Sequence, residues 1–187
     1  MADNTTIRTH YEQQPYPDTV FHFTHPAHTG ALAQLYGHPG PPDPATARIL
    51  DVGCGQGANL IRIARDLPGA ECIGLDLAEV HIQQARQNAQ ADGLENIQFI
   101  RADILEHDFN GQQFDYVIAH GFFAWVPDEV RERLLSICRD NLSPQGVAVV
   151  SYNCLPGWSV RSGLRLLMQM ENEVSGNAGR QLLQGAE

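Results

Sequence analysis

Basic residues are scarce in this sequence. Its 187 residues include 12 Lys and Arg against 22 Asp and Glu, which gives a formal net charge of −10. Proteins that bind nucleic acids generally present a basic face that neutralises phosphates, and this charge balance supplies none. We therefore expect no nucleic-acid partner.

Long apolar segments are also missing. No run approaches the ~18 apolar residues of a membrane-spanning helix, and the amino terminus, MADNTTIRTH, lacks the basic-then-apolar pattern of a secretion signal. These absences favour a cytoplasmic protein with no membrane partner. The hydrophobic fraction of 43% is nevertheless sufficient to build a folded core.

Closely spaced cysteines are absent as well. Because no CxxC pair occurs, the pattern predicts neither a disulfide framework nor a zinc site. The thiols are expected to be reduced and mostly buried, with one of them inside a glycine-rich turn. The four residues are Cys54, Cys72, Cys138 and Cys154.

A triplet of histidines invites a metal-site interpretation that the pattern does not support. His22, His25 and His28 recur at three-residue spacing, but Pro26 prevents them from sharing a settled helical face. No carboxylate or cysteine completes the ligand set that such a site requires. We expect no metal.

The chain divides into three segments. Residues 1–47 are punctuated by proline, hold one helix candidate, HPAHTGALAQLYG, and are expected to form an amino-terminal cap segment. Residues 48–156 are expected to form the ligand-binding core, and residues 157–187 a helix, starting near Trp158 and ending near Val174, followed by a tail. This last segment could begin a further domain.

Strands and helices alternate within the core. The spacing predicts an α/β fold with a Rossmann-like, doubly wound, mostly parallel sheet, in which ligands sit beyond the carboxyl ends of the strands. The predicted strands are ARILDV, ECIGLDL, IQFIRADI, FDYVIAH and GVAVVSYN. The predicted helices are ANLIRIARDL, AEVHIQQARQNAQADG and PDEVRERLLSICRDNL.

The turn after the first strand is almost bare of side chains. Gly53, Gly55 and Gly57 permit positive φ angles and let a ligand approach the backbone, and the helix that follows offers free N–H groups. A bound small molecule is therefore expected here. The stretch also satisfies the dinucleotide fingerprint, with Ala58 in its last position, so the turn alone leaves the ligand open.

Three acids narrow the choice of ligand. Asp51, Asp76 and Asp103 end three successive predicted strands and should converge on one crevice. Carboxylates so close raise one another's pKa unless a cation or several donors share the site. A pyrophosphate would add negative charge, whereas S-adenosylmethionine brings a sulfonium and an ammonium. The acidic crevice therefore favours S-adenosylmethionine.

At this point a family resemblance emerges. The stretches ILDVGCGQGANL, GLDLAEVHIQQAR, IQFIRADIL and FDYVIAHGFFAWVP resemble, in order, the motifs of class I S-adenosylmethionine-dependent methyltransferases over about residues 48–152. The flanking stretches YEQQPYPDTVFHFTHP and GVAVVSYNCLPGW resemble bacterial methyltransferases with a methyltransferase regulatory domain, a group that includes protein-lysine methyltransferases. Candidates for strands six and seven of that sheet are not evident, which would place the missing part in a longer natural chain.

The resemblance implies roles for individual positions. Asp51 would hold the methionine ammonium, Asp76 the ribose hydroxyls and Asp103 the adenine amino group, while Tyr11 would close over the cofactor. The glycines would line the methionine and ribose, Leu77 and Ile104 would meet the adenine, and His120 and Gly121 would border the methyl group. The full implied cofactor set is Tyr11, Asp51, Gly53, Cys54, Gly55, Gly57, Asn59, Asp76, Leu77, Asp103, Ile104, His120 and Gly121.

The sequence defines the binding site of the methyl acceptor less clearly than that of the cofactor. His120 is a candidate general base, and the aromatic side chains Phe122, Phe123 and Trp125 are candidate walls, although the first two are also typical core residues. The expected acceptor is a protein, with lysine as the candidate side chain, or a small molecule. An NAD(P)-dependent oxidoreductase and a cofactor-binding module without turnover remain alternatives.

Overall fold

The computed structural model describes residues 19–159, 163–164 and 166–167. The chain forms two compact units, Met1–Ser151 and Tyr152–Glu187. In the second unit, turns span residues 155–158 and residues 159, 163–164 and 166–167 are helical. The rest of the helix predicted from Trp158 to Val174 lies outside the described residues, as does Tyr11.

The first unit alternates strands and helices as predicted. Four helices are α1 (Pro26–Leu35), α2 (Ala58–Asp66), α3 (Glu79–Ala91) and α4 (Asp128–Asp140). The described residues of this unit also form five strands, β1 (Arg48–Val52), β2 (Glu71–Asp76), β3 (Ile97–Arg101), β4 (Phe114–Ala119) and β5 (Leu142–Val150). Short 3₁₀ turns at His22–Thr24 and Pro44–Thr46 flank α1.

All five strands pair in parallel, in the order β3-β2-β1-β4-β5. This confirms the Rossmann-like α/β fold. The chain runs outward from β1 to β3 and then returns to the other side of β1 with β4, so the order reverses at the β1/β4 junction. Such a switch point opens a crevice at the carboxyl ends of the strands.

The sheet is covered by apolar side chains on both faces, which explains its nearly continuous hydrophobic strands. Ile49 of β1 joins a core cluster with the α2 residues Leu60 and Ile63, whereas its neighbour Leu50 joins a second cluster with Leu134 of α4. Successive residues of a strand point to opposite faces. β1 is therefore anchored from both sides, and its end is held in a fixed position.

Several strand boundaries differ from those predicted, by one residue in β1, β2 and β4 and by three or four in β3 and β5. β3 ends at Arg101 rather than Ile104, because the chain turns where the Asp103 carboxylate accepts the Leu105 N–H at 2.9 Å. β5 begins at Leu142 rather than Gly146 because Leu142 pairs with Phe114, ahead of a register shift between Phe114 and Tyr116. Within the described ranges, no helix combines the length and apolarity needed to cross a membrane.

Candidate functional site

A cavity of about 350 Å³ lies at the carboxyl ends of the strands, at the switch point. It brings together most of the side chains and glycines that the sequence singled out. The predicted positions on its wall are Asp51, Gly53, Cys54, Gly55, Asn59, Asp76, Leu77, Asp103, Ile104, His120 and Gly121.

The glycine turn after β1 rests on the end of β2. The N–H groups of Gly53 and Cys54 both donate to the Leu75 carbonyl, at 2.8 and 3.0 Å. Gly53 and Gly55 have φ angles of 75° and 55°, in the left-handed region. A Cβ built on Gly55 would meet nothing within 4 Å, so the backbone there is open to a ligand.

Gly57 has a different environment. It is not part of the cavity wall, and a Cβ built on it would lie 2.6 Å from the ring of Phe99. With a φ of 84° it forms the N-cap of α2. The requirement for glycine at this position is thus explained by packing and backbone conformation, without a ligand.

Asp51, at the carboxyl-terminal end of β1, is the most buried acid of the site, with 4% of its surface exposed. Burial, reinforced by the nearby Asp76 carboxylate, raises the pKa of Asp51 to about 7, although a hydrogen bond with Asn59 partly opposes the shift. An ionised Asp51 is therefore costly in the free protein. A cation bound beside it would remove that cost.

Asp76 stands at the end of β2 and faces the glycine turn. Its Oδ2 accepts the Gly55 N–H at 2.9 Å, and its Oδ1 accepts the Ala78 N–H at the same distance. His81 Nδ1 lies 3.5 Å from Oδ1. Because a carboxylate has about four acceptor positions, Asp76 keeps capacity for further donors such as ribose hydroxyls.

The end of β3 supplies a polar and an apolar element. Asp103 holds the Leu105 N–H, as described above, and Ile104 is buried among apolar side chains. Arg133 Nε donates to the Ile104 carbonyl at 3.1 Å. Within the described part of the chain, the Ile104 N–H donates to no acceptor, so it is available to a flat heterocycle with a ring nitrogen.

His120 follows β4 and packs against two aromatic rings from the amino-terminal segment. Its ring centroid lies 4.0 Å from that of Phe21 and 5.0 Å from that of Phe23. Burial lowers the pKa of His120, which keeps the imidazole neutral near pH 7. Its buried Nδ1 has no hydrogen-bond partner among the described residues.

The predicted aromatic walls separate into different environments. Phe122 lines the cavity and covers Gly53, whose built Cβ would lie 2.5 Å from that ring. Phe123 packs against the core and lies under the guanidinium of Arg131, 5.7 Å from the ring centroid. Trp125 is 39% exposed and, like Phe123, is not part of the cavity wall.

Several wall residues were not anticipated from the sequence. Phe21 comes from a segment without periodicity, and no local signal places it here. His81 could have been found, because it lies at helical spacing before the buried Ala85 and Ala89 of α3. The remaining wall residues that were not predicted are Thr19, Val52, Leu75, Ala102, Val126, Pro127 and Val130.

The histidine triplet forms no metal site among the described residues, and the expectation of mostly buried cysteines is only partly met: Cys54 and Cys72 are buried, Cys138 is half-buried and Cys154 is exposed. His25 caps α1, with its Nδ1 accepting the Ala27 N–H, and the described residues contain no group of three or more side chains placed to hold a metal ion. Burial, reinforced by Asp51 and Asp76, raises the pKa of the Cys54 thiol. Burial raises that of Cys72 to about 12. Neither thiol is a nucleophile near neutral pH.

Comparison with known proteins places this geometry in a family. Residues 49–146 match the profile of a family described as a methyltransferase domain. Two uncharacterised proteins of Rickettsia prowazekii are similar: RP789 is 40% identical over 84% of this chain and 28% of its own length, and RP028 is 34% identical over 90% of this chain and 67% of its own length.

A solved structure shows the same architecture. PKMT2 from Rickettsia typhi, in complex with AdoHcy, superposes with a TM-score of 0.81 at 33% identity, over 91% of this chain and 34% of that protein. The chain thus spans only about a third of the length of this structural relative. AdoHcy is the product that remains when S-adenosylmethionine has given up its methyl group.

Proposed function

Because this chain belongs to the methyltransferase domain family, and is of the class I type that uses S-adenosylmethionine, we propose that the protein methylates the side-chain amine of lysine in other proteins. The observation that carries the proposal is the likeness to PKMT2, whose abbreviated name denotes a protein lysine methyltransferase. The match covers 91% of this chain.

The cavity has a donor set that fits S-adenosylmethionine. Asp51 would take the methionine ammonium, since its buried carboxylate gains most from a cation. Asp76 would accept the ribose hydroxyls, and Asp103 with the Ile104 N–H would pair with the edge of the adenine. Leu77 would pack on its face. When bound, the sulfonium supplies an electrophilic methyl carbon and leaves as a neutral thioether.

The protein's own contribution is to bind, orient and handle a proton. Displacement at the methyl carbon requires a lone pair in line with the bond that breaks, and a lysine amine is protonated near pH 7. His120 is neutral in this range and borders the cavity, as a general base must. We assign it to accept the proton that the lysine ammonium gives up.

Charge supports a protein acceptor. The sequence carries a formal net charge of −10, and an acidic protein attracts basic partners at long range. The excess of acidic over basic residues that argued against nucleic acids is thus compatible with lysine-bearing substrates. The two R. prowazekii relatives are uncharacterised proteins, so they give no indication of an acceptor.

A labelling experiment tests the proposal. The protein is incubated with methyl-labelled S-adenosylmethionine and a bacterial lysate, and the protein fraction is hydrolysed to identify labelled methyllysine. A matched lysate whose lysines have been acetylated removes the acceptor amines and leaves other side chains largely intact. We expect label in methyllysine from the first lysate and its loss from the second. Label in small molecules alone would refute the lysine proposal and favour a small-molecule acceptor.

A binding measurement separates this chemistry from the alternatives. Calorimetry should detect S-adenosylhomocysteine in the micromolar range or tighter, at least about 8 kcal/mol of binding free energy, and no NAD. NAD binding would instead favour the oxidoreductase alternative. Cofactor binding without transfer to any acceptor would favour a module without turnover.

A further inference from the structure

Asn59 occupies the first turn of α2, directly after the glycine turn. Both the oxygen and the nitrogen of its side-chain amide form hydrogen bonds. The Phe21 N–H donates to Oδ1 at 3.0 Å, and Nδ2 donates to the Thr24 hydroxyl at 3.0 Å. The Thr24 hydroxyl is also 2.8 Å from the Phe21 carbonyl and donates to it. Thr24 is completely buried, so these bonds are shielded from water.

The segment fixed in this way carries the rings that cover His120. Phe21 lines the cavity, and Phe23 is 48% exposed on the outer side of the same cluster. The two rings lie 5.8 Å apart and both contact the His120 imidazole. The cover over His120 therefore depends on a segment that lies more than thirty residues before Asn59 in the sequence.

The same amide also reaches the opposite side of the cavity. Asn59 lines the wall, and its amide lowers the pKa of Asp51 against the larger effect of burial; Asp51 is the carboxylate assigned to the cofactor ammonium. One side chain therefore lies on the cavity wall near the predicted methionine end of the cofactor site and also holds the amino-terminal segment. A neutral amide can do this because it offers two donors and an acceptor.

We propose that Asn59 is a positioning residue that fixes the Phe21–Thr24 segment against His120 and so sets the wall that meets the methyl acceptor. The proposal rests on the proposed function for the identity of the acceptor, but its geometry is independent of it. Asn59 acts through Thr24 and Phe21 rather than on the reacting atoms. The covalent step is unchanged: the acceptor nitrogen gains the methyl group and loses a proton.

Thr24 allows the proposal to be tested without changing the cavity wall. Thr24→Val removes the hydroxyl and keeps the branched shape, whereas Thr24→Ser keeps the hydroxyl. The readout is hydrogen exchange at the C2 carbon of His120, measured by mass spectrometry on the free protein. Exposed His28 on α1 serves as an internal reference.

We expect the exchange at His120 to be about two- to tenfold faster in Thr24→Val, the range that corresponds to loss of one neutral hydrogen bond. Thr24→Ser should exchange at the wild-type rate, and His28 should not change in either variant. Unchanged exchange at His120 in Thr24→Val would overturn the proposal. So would an equal acceleration at the buried His81 of α3, which would indicate general loosening.

Because Thr24 is buried, Thr24→Ala provides a second hydroxyl-free variant in case the valine methyl is not accommodated. Its expected exchange at His120 is also accelerated, and a wild-type rate would overturn the proposal. Calorimetry should find S-adenosylhomocysteine affinity within about twofold of wild type in the folded variants, while the acceptor KM rises. The exchange result stands even if lysine transfer fails, so the two failures are distinguishable.

Discussion

The Gly55 N–H donates to Asp76 Oδ2 at 2.9 Å. The acid at the end of β2 therefore shapes the glycine turn after β1 before any ligand arrives. Its other oxygen holds the Ala78 N–H at the start of α3. Asp76 thus joins three elements of the site, in addition to the role in binding ribose that we propose for it.

Replacement of Asp76 should weaken both the support of the glycine turn and the binding of the cofactor ribose. We expect Asp76→Ala to reduce affinity for S-adenosylhomocysteine by about 10- to 150-fold, the equivalent of ~1.5–3 kcal/mol for a hydrogen bond to a charged group. Asp76→Asn keeps one oxygen acceptor and should lose less. Both effects are measured by calorimetry.

A matched control removes one negative charge elsewhere. Glu95 is exposed and precedes β3, at the edge of the sheet opposite the cavity. Glu95→Gln changes the net charge as Asp76→Asn does and should leave affinity unchanged. If Glu95→Gln weakens S-adenosylhomocysteine binding as much as Asp76→Asn does, the effect reflects the change in net charge. The placement of Asp76 at the ribose is then wrong.

Asp51 should couple stability to pH. The pKa of its carboxyl is about 7 in the folded protein against an ordinary value of 3.8. The folded state therefore holds a proton that the unfolded state releases, and stability is lost as pH rises from about 4 to about 7. We expect Asp51→Asn to remove this loss and to raise the free energy of unfolding by about 2–4 kcal/mol at pH 8.

The same substitution should cost affinity. Without the carboxylate, the cofactor ammonium loses a charge-assisted partner, so S-adenosylhomocysteine should bind at least about tenfold more weakly. Chemical denaturation at about pH 4.5 and pH 8 and calorimetry provide the two measurements. A variant that is no more stable than wild type at pH 8 would contradict the burial of an ionised Asp51 in the free protein.

The sequence predicted the site where its features are local. The acids Asp51, Asp76 and Asp103 each lie within two residues of the end of an apolar strand, and parallel strands bring their carboxyl ends to one edge. The glycine spacing also identified the turn. These features depend on strand direction and order, which short crossover connections determine almost completely.

The parts that escaped prediction depend on long-range contacts. Phe21 reaches the cavity because its N–H bonds to Asn59, thirty-eight positions further along the chain, and no periodicity records that pairing. Gly57 was grouped with the other glycines by spacing alone, yet it faces Phe99. Its identity could be understood only once β3 was placed beside β2.

Alanine substitutions at Gly53 and Gly55 should affect protein stability and ligand binding to different degrees. Both have positive φ angles, which cost an L-residue about 1–2 kcal/mol. In Gly53→Ala, the new methyl also meets the Phe122 ring at 2.5 Å, whereas in Gly55→Ala it enters open space. Gly53→Ala should therefore lose about 1–3 kcal/mol more stability than Gly55→Ala, because overpacking adds to the backbone strain.

Gly55→Ala should instead weaken ligand binding more than Gly53→Ala does, relative to the stability that each variant loses. Its methyl projects where we place the cofactor, and we expect at least about tenfold weaker S-adenosylhomocysteine binding with a stability loss of only ~1–2 kcal/mol. Thermal and chemical denaturation rank the two variants, and calorimetry measures the ligand. Adding Phe122→Leu should restore part of the stability of Gly53→Ala and none of that of Gly55→Ala. Equal rescue of both would show that the Phe122 contact does not distinguish the two positions.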